Sequence, residues 1–439
     1  MNTTRSRPNV LLVTVDAMRS DFALGEFGSE KPFFQLLERE GTAFDTMIAA
    51  ASSTTPAVAS YMTGTYPPDH GILSLRDFTL NDTSTTLAEV FDAAGYETLG
   101  HVCGPLTPDT GLDAGFDTYH YRETEISVYT DWFDEFLTQL ESTPGPWFAY
   151  LHLWEPHIPR ITPPDADPSD NSYDASIRGV AEQLRQLLDV VDLEETVIAV
   201  TGDHGESIYD GTLRNKAAVI LLRQLPIPFT DMRTDDLRTR VYDRFLRPRG
   251  IETEELYNSL RRFSGVEYPS ALHRWGHGYH VYDFLVRVPF IIAGADVPNR
   301  GRVSDQVRQV DIFPTLLAAA GLEPPHTVDG QDLFAASYSH RPAMMRAVSA
   351  FDSEEKWLDG VRYDGWKFVK GRGRALRQLF DLDSDPLELD NVVDEYPEKA
   401  AELEAILDEF VAREDSTREG PSEEAKRRMT ERLEHLGYL

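Results

Sequence analysis

Two stretches of this chain are apolar almost without interruption, and each ends on a carboxylate. Asn9–Val15 (NVLLVTV) runs into Asp16, with Arg19 and Asp21 just beyond, and Thr196–Thr201 (TVIAVT) runs through Gly202 into Asp203 and His204. A continuous β-branched run, as opposed to an alternating one, is what a parallel strand covered on both faces requires. Ligands of such sheets gather where the strands end at their carboxyl edge. Adjacent Asp203 and His204 therefore read as metal ligands, with Asp16 at a second strand end; taken alone, Gly202, Asp203 and Gly205 also read as a plain turn. A third element, Ala49–Gly64 (AAASSTTPAVASYMTG), sets a hydroxyl cluster before Pro56 and a small-residue helical pattern. Proline fits a first helical turn, and a hydroxyl there faces the positive end of the helix, a place to hold an anion beside a nucleophile. The ordinary role of such a cluster is an N-cap. Trp147–Leu153 (WFAYLHL) reads as an aromatic strand with His152 packed inside it, Asp359–Val369 (DGVRYDGWKFV) as a hairpin, and Glu398–Arg413 as an amphipathic helix.

Several of these segments together resemble the sulfatase branch of the alkaline phosphatase superfamily. The resemblance is carried by Asp16 after the first strand, TTPAVASYMTG at Thr54–Gly64, YPPDHG at Tyr66–Gly71 and TGDHGE at Thr201–Glu206. It continues through WGHGYHVYDFLVRVPFII at Trp275–Ile292, VDIFPTLLAAAG at Val310–Gly321, VDGQDL at Val328–Leu333 and LFDLDSDPLELDNVV at Leu379–Val393. The matches follow one another in order from about residue 8 to about residue 393. They imply an α/β fold with a mixed sheet flanked by helices on both faces and a small C-terminal α+β subdomain. They also imply an ester hydrolase with one divalent metal ion held by Asp16, Thr54, Asp203 and His204. Such a donor set suits zinc or manganese, and with added waters magnesium or calcium. His157, in HLWEPHIP, and His277, in the GHG, take catalytic roles by the same resemblance, with His152 and His280 as weaker candidates. Arg19, Arg274 and Arg287 lie near motifs without a rank.

Two departures from the family pattern bear on the chemistry. Sulfatases carry CxPxR or SxPxR, whose Cys or Ser becomes formylglycine, and the matching residues here are Thr54, Pro56 and Val58. Oxidising a threonine side chain gives a ketone, so that route is closed, and an alkyl sulfate on Thr54 has no easy exit. A phosphorylated threonine can be attacked in line by water. The resemblance therefore shifts toward phosphate esters, with a diester or phosphonate monoester preferred over a dianionic monoester. Transfer to an alcohol acceptor, sulfuric ester hydrolysis and a silent anion-binding relative are the alternatives. The second departure is Asp16-Ala17 where the family has two adjacent aspartates.

Organisation and composition complete the reading. Residues 1–335 are expected to form the catalytic domain, interrupted by an insertion at about 208–274, and 336–439 the C-terminal subdomain with a charged helical tail. The insertion holds a strand candidate at Ala217–Leu222 and helices at Asp235–Leu246 and Glu252–Phe263, and it offers a cap or a homo-oligomer contact. The chain has 74 acidic residues against 42 basic ones, a net charge of -32, and only seven lysines. Such an excess points to a salt-loaded cytoplasm, and it disfavours nucleic acid as a partner. The expected partner is a small anionic ester. Cys103 is the single cysteine, which excludes an internal disulfide. The first residues carry no apolar signal region and no stretch approaches a membrane span, so a cytoplasmic location is expected.

Overall fold

β1 (Asn9–Val15) lies between β5 (Trp147–Leu153) and β6 (Thr196–Gly202), parallel to both, with Val15 opposite Leu153 on one side and Gly202 on the other. This trio forms the middle of a nine-stranded mixed sheet in the computed structural model, which describes residues 7–208, 244, 276–348, 354–414 and 421–436, apart from positions 77, 169 and 374. Beyond β5 the sheet continues in parallel through β3 (Glu97–Val102) to β4 (Thr118–Tyr121). Beyond β6 it turns antiparallel at β7 (Arg287–Gly294), which pairs antiparallel with β2 (Gly41–Ile48). β8 (Gly301–Val303) and β9 (Val307–Arg308) then pair with β2 in parallel.

The unbroken apolar runs have a direct cause. Alternate residues of each central strand enter two different cores. Val10, Leu12, Phe148, Tyr150, Val197 and Ala199 join one face, while Leu11, Val13, Ala149, Leu151, Ile198 and Val200 join the other. The first face is covered by the helices Thr54–Thr63, Leu87–Ala93 and Ile312–Ala319, through Val58, Met62, Phe91 and Leu316. The second is covered by Pro32–Glu40, Asp131–Ser142 and Ser172–Leu184, through Phe33, Phe136 and Ile177. Each such side chain fully removed from water stabilises the fold by roughly 1.5–3 kcal/mol before entropy is subtracted.

A second, four-stranded antiparallel sheet follows: β10 (Ala343–Ala347), β11 (Leu358–Tyr363), β12 (Trp366–Gly371) and β13 (Arg377–Asp381). The β11–β12 hairpin turns on Asp364 and Gly365, both at positive φ (50° and 78°), the geometry for which Asp-Gly is favoured. The helix Pro397–Val411 lays Ala400, Leu403, Leu407 and Phe410 over Val361, Phe368 and Leu379. Buried Lys367 on β12 joins the two sheets, donating to the Val281 carbonyl at 2.9 Å and pairing with Asp283 and Glu388. In the charged tail a helix spans Glu423–His435. Among the described residues no helix is long and apolar enough to cross a membrane. Apart from positions 208 and 244, the inserted segment, including Ala217–Leu222, Asp235–Leu246, Glu252–Phe263 and Arg274, lies outside the described residues, as does the oligomer contact expected of it.

Candidate active site

Three polypeptide segments bring their polar residues to one point at the carboxyl edge of the β5–β1–β6 trio. Asp16 follows β1, and its amide still donates to the Leu153 carbonyl of β5 at 2.7 Å. Asp203 and His204 follow β6, where Gly202 and Gly205 are required by close backbone approach. A Cβ on Gly202 would stand 2.4 Å from the Met18 carbonyl oxygen, and one on Gly205 2.2 Å from that of Phe284. Thr54 opens the helix Thr54–Thr63, with Pro56 in its first turn. Asp16, Thr54, Asp203 and His204 are all fully buried.

The donor atoms converge. Ligand atoms of Asp16, Asp203 and His204 lie within 4.8 Å of one another. Thr54 Oγ1 stands 3.3 Å from Asp16 Oδ2 and 3.3 Å from His204 Nε2. His204 Nε2 is 3.7 Å from Asp16 Oδ1 and 3.5 Å from Asp203 Oδ2. The orientation is fixed from outside. His204 Nδ1 donates to the Gly205 carbonyl at 2.8 Å, which leaves the Nε2 lone pair toward the carboxylates. Asp203 Oδ1 accepts from the amides of Ala17 (2.9 Å) and His204 (2.8 Å), which turns Oδ2 inward. Ala17 reaches that bond by adopting φ 58°, a left-handed conformation that costs a non-glycine residue about 1–2 kcal/mol.

The electrostatics call for a cation. Burial pushes the Asp16 carboxyl well above the usual carboxylate range, and the charge on Asp203 adds to this. Burial would raise Asp203 too, but His204, His152 and the Ala17 amide outweigh it and hold that carboxyl below its ordinary value. Burial carries His204 down to about 4 against the attraction of Asp203, so the imidazole is neutral, as a metal ligand must be. Asp16 Oδ1, Asp203 Oδ2 and His152 Nε2 make no hydrogen bond among the described residues. Nor does any described Lys or Arg pair with either carboxylate. Two carboxylates, a neutral imidazole and a hydroxyl, each with a buried lone pair aimed at a common point, fit a divalent ion.

Three further histidines border this point. His277 lies between His204 and His157, with ring centroids 4.1 Å and 5.0 Å away, and its Nδ1 is 3.5 Å from Glu206 Oε2. Gly276 is obligatory beside it, because a Cβ there would overlap Glu206 Oε1 at 1.5 Å. His157 stacks on Trp154 at 3.7 Å, and burial together with His277 and His204 keeps its ring neutral. The third is His152, a weaker candidate by sequence, buried in β5 with its Nε2 3.6 Å from Asp16 Oδ2 and 4.0 Å from Asp203 Oδ2. His280 is not part of the site. It stacks on Tyr282 and bonds Gln378 Oε1 at 2.8 Å, on the C-terminal sheet. Arg287 pairs with Glu26 at the surface, and Arg19 is held by Asp21.

One residue of the site escaped the sequence reading entirely. The buried Gln309 side chain accepts from the Ala50 amide at 3.1 Å and donates to the carbonyls of Gly202 (3.1 Å) and Asp203 (2.9 Å). It therefore ties the chain leading to Thr54 to the strand end carrying Asp203. Its position one residue before the VDIFPTLL segment was the available signal.

A family model described as Sulfatase matches residues 8–322. The chain belongs to the sulfatase family. A second model, N-sulphoglucosamine sulphohydrolase, C-terminal, matches residues 272–415, so the tail helix lies beyond both matches. Arylsulfatase K of Bos taurus is 30% identical over 148 residues, spanning 31% of this chain and only 27% of that protein. An arylsulfatase of Clostridium perfringens is 26% identical over 477 residues, covering 94% of this chain and 96% of its own. The phosphonate monoester hydrolase of Agrobacterium radiobacter superimposes with a TM-score of 0.61 at 18% identity, covering 93% of this chain and 95% of that one. This fold thus serves proteins named for sulfate esters and for phosphonate esters alike, and the ester must be argued from the residues of the site.

Proposed function

We propose that this sulfatase-family chain is a divalent-metal-dependent hydrolase of phosphorus esters, with Thr54 as nucleophile and a diester or phosphonate monoester as preferred substrate. The observation that carries the reading is the position of Thr54 Oγ1, 3.3 Å from both Asp16 and His204 at a helix N-terminus. Val58, where a formylglycine-forming segment has arginine, is packed into the core. Asp16, Asp203, His204 and Thr54 would hold a divalent ion, which would supply Lewis acidity and lower the pKa of the attacking hydroxyl.

The residues divide the work as follows. Thr54 Oγ attacks phosphorus in line, its proton passing to Asp16 Oδ2, 3.3 Å away. The bond from phosphorus to the leaving oxygen breaks, and His277 delivers a proton to that oxygen, held in place by Glu206. The helix terminus at Thr54 and the His157 ring face the non-bridging oxygens. In the second half-reaction water attacks phosphorus, its proton returns to His277, and Thr54 Oγ leaves and recovers its own proton. A dianionic monoester demands more positive charge than these groups provide, since position 58 is Val and position 17 Ala.

A panel of aryl phosphate mono- and diesters, phosphonate monoesters and sulfate esters tests the reading. Thr54→Ala should lower hydrolysis by at least about 10³-fold, roughly 4 kcal/mol of barrier, while Thr54→Ser retains measurable turnover. Sulfate ester turnover that exceeds every phosphorus substrate and survives Thr54→Ala would overturn it.

A further inference from the structure

We infer that Tyr61 is a positioning residue, whose hydroxyl sets where Thr54 stands against the strand that leads to Asp16. This rests on the reading of Thr54 as nucleophile and deepens it. Tyr61 follows Thr54 by seven residues in the helix Thr54–Thr63, and two helical turns bring residues seven apart to nearly the same face. Thr54 Oγ1 meets Asp16, just after β1, at 3.3 Å, and Tyr61 Oη lies 2.8 Å from Oγ1 of Thr14, two residues earlier in the chain. The helix therefore touches one strand at two points, and the Tyr61 contact is the shorter. Tyr61 Oη also lies 2.7 Å from Oη of Tyr150 on β5, so the same hydroxyl spans two neighbouring strands of the central sheet.

The helix needs such a tie. All ten of its residues are buried. A helix with one apolar face is rolled into place by the hydrophobic effect, whereas one buried all round covers as much apolar surface in any roll. Ala57, Ala59 and Ser60 offer few knobs to lock it. Two of its other hydroxyls bond locally: Ser60 Oγ donates to the Pro56 carbonyl at 2.8 Å, and Thr63 Oγ1 to that of Ala59 at 2.7 Å. Among the described residues, Tyr61 is the one helix residue after Thr54 whose side chain hydrogen-bonds to a strand of the central sheet.

Nor are these hydroxyls required to fill space. Tyr61 and Tyr150 belong to the same apolar cluster as Leu12 and Phe148, where phenylalanine would have the same ring. A buried hydroxyl is costly unless bonded, and a bonded one specifies a single arrangement. Thr14, Tyr61 and Tyr150 bond only to one another through their hydroxyls among the described residues, which makes a neutral tie between the nucleophile's helix and the strands beneath the site.

The test uses the full chain supplied with Zn²⁺ or Mn²⁺, and an aryl phosphonate monoester and an aryl phosphodiester as substrates. Single-turnover release of the phenolate reads attack by Thr54 directly. Tyr61→Phe should slow that step by at least about tenfold with substrate Kd within about threefold of wild type, in protein that melts well above the assay temperature. A merely structural role would lower the melting temperature without this split. Thr14→Val breaks the same bond from the strand side and should also slow the step, and Thr14→Ser, which keeps the hydroxyl, should recover most of the rate. The Thr14→Val/Tyr61→Phe double variant should be no slower than Tyr61→Phe, because the shared bond is already lost. A smaller effect in folded Tyr61→Phe, or losses that multiply in the double variant, overturns this inference alone. If Tyr61→Phe does not fold, an undiminished rate in Thr14→Val overturns it, and a loss recovered by Thr14→Ser upholds it. Turnover that survives Thr54→Ala, or none of either ester by wild type, overturns the nucleophile reading and this inference with it.

Discussion

Removing a charge from the site should stabilise the metal-free protein, against the usual effect of altering a buried residue. Ligand oxygens of Asp16 and Asp203 lie within 4.8 Å of each other with no hydrogen bond from Lys or Arg between them. Two unit charges at that distance repel by about 3.5 kcal/mol at an effective dielectric of 20. Asp16→Asn keeps the shape and the acceptor for Thr54 while deleting the charge. An unfolding entropy of about 0.9 kcal/mol/K for 439 residues converts the full repulsion into a rise of about 4 °C in Tm. The pH dependence follows from the sign of the shift. Asp16 has a folded pKa above its unfolded value of about 3.9. Its contribution to stability is therefore present below that unfolded value and lost as pH rises through the raised folded one. In chelator, wild type should lose stability over that window, the variant should not, and the gap between them should be widest above it. Excess Mn²⁺ or Zn²⁺ should reverse the order, because only wild type gains binding energy, about 2.7 kcal/mol at a hundred times Kd. The assay is differential scanning calorimetry with and without chelator across pH. If chelated Asp16→Asn melts below chelated wild type at neutral pH, the repulsion argument fails.

Two more outcomes follow. With 74 acidic residues against 42 basic ones, the melting temperature should climb steeply from dilute buffer to molar KCl, and a flat midpoint would remove the halophilic reading. Leu433 of the tail helix packs with Leu75, Cys103 and Trp154, and Trp154 stacks on His157, so Leu433→Ala should cost about 2–5 kcal/mol and also lower kcat. Undiminished kcat after removal of residues 421–439 would show that the tail supports only itself.

The parts of this site that could be read from the sequence are those fixed by double-sided burial. β1 and β6 declare themselves because both faces of the sheet are covered, and the residue after such a strand must lie at its carboxyl edge; that places Asp16, Asp203 and His204 together, while their reading as one ligand set comes from the family resemblance. His152 obeys the same rule one residue inside the end of β5, opposite Thr14. A histidine inside an aromatic strand reads both as packed core and as a weaker site candidate, and burial along the whole of β5 does not distinguish a packed ring from one buried against a polar centre. His277 and His280 show the converse limit. They are three apart in an irregular segment, where no periodicity tells which turns inward, and one faces His204 while the other faces Gln378. The left-handed Ala17 leaves no trace in the sequence, since the sign of φ is set by the Asp203 carboxylate 186 residues away.

The C-terminal sheet is tied directly to the segment that leads to Thr54. Arg346 on β10 is fully buried, its guanidinium clamped by Asp359 and Glu414, and its main chain forms a parallel bridge with Ala51. Its amide donates to the Ala50 carbonyl at 3.0 Å and its carbonyl accepts from the Ser52 amide at 2.9 Å, two residues before Thr54. From the other side Gln309 holds the Ala50 amide and the Asp203 carbonyl. The approach to Thr54, the proposed nucleophile, is thus bound to a strand of one sheet and to the end of β6 in the other. A hydroxyl must be held within a fraction of an ångström for in-line attack, and misplacement by 1 Å can cost about 10²-fold. The ion pairs that hold Arg346 lie in a different sheet from Thr54, and the two backbone hydrogen bonds of Arg346 link them to the segment that leads to it.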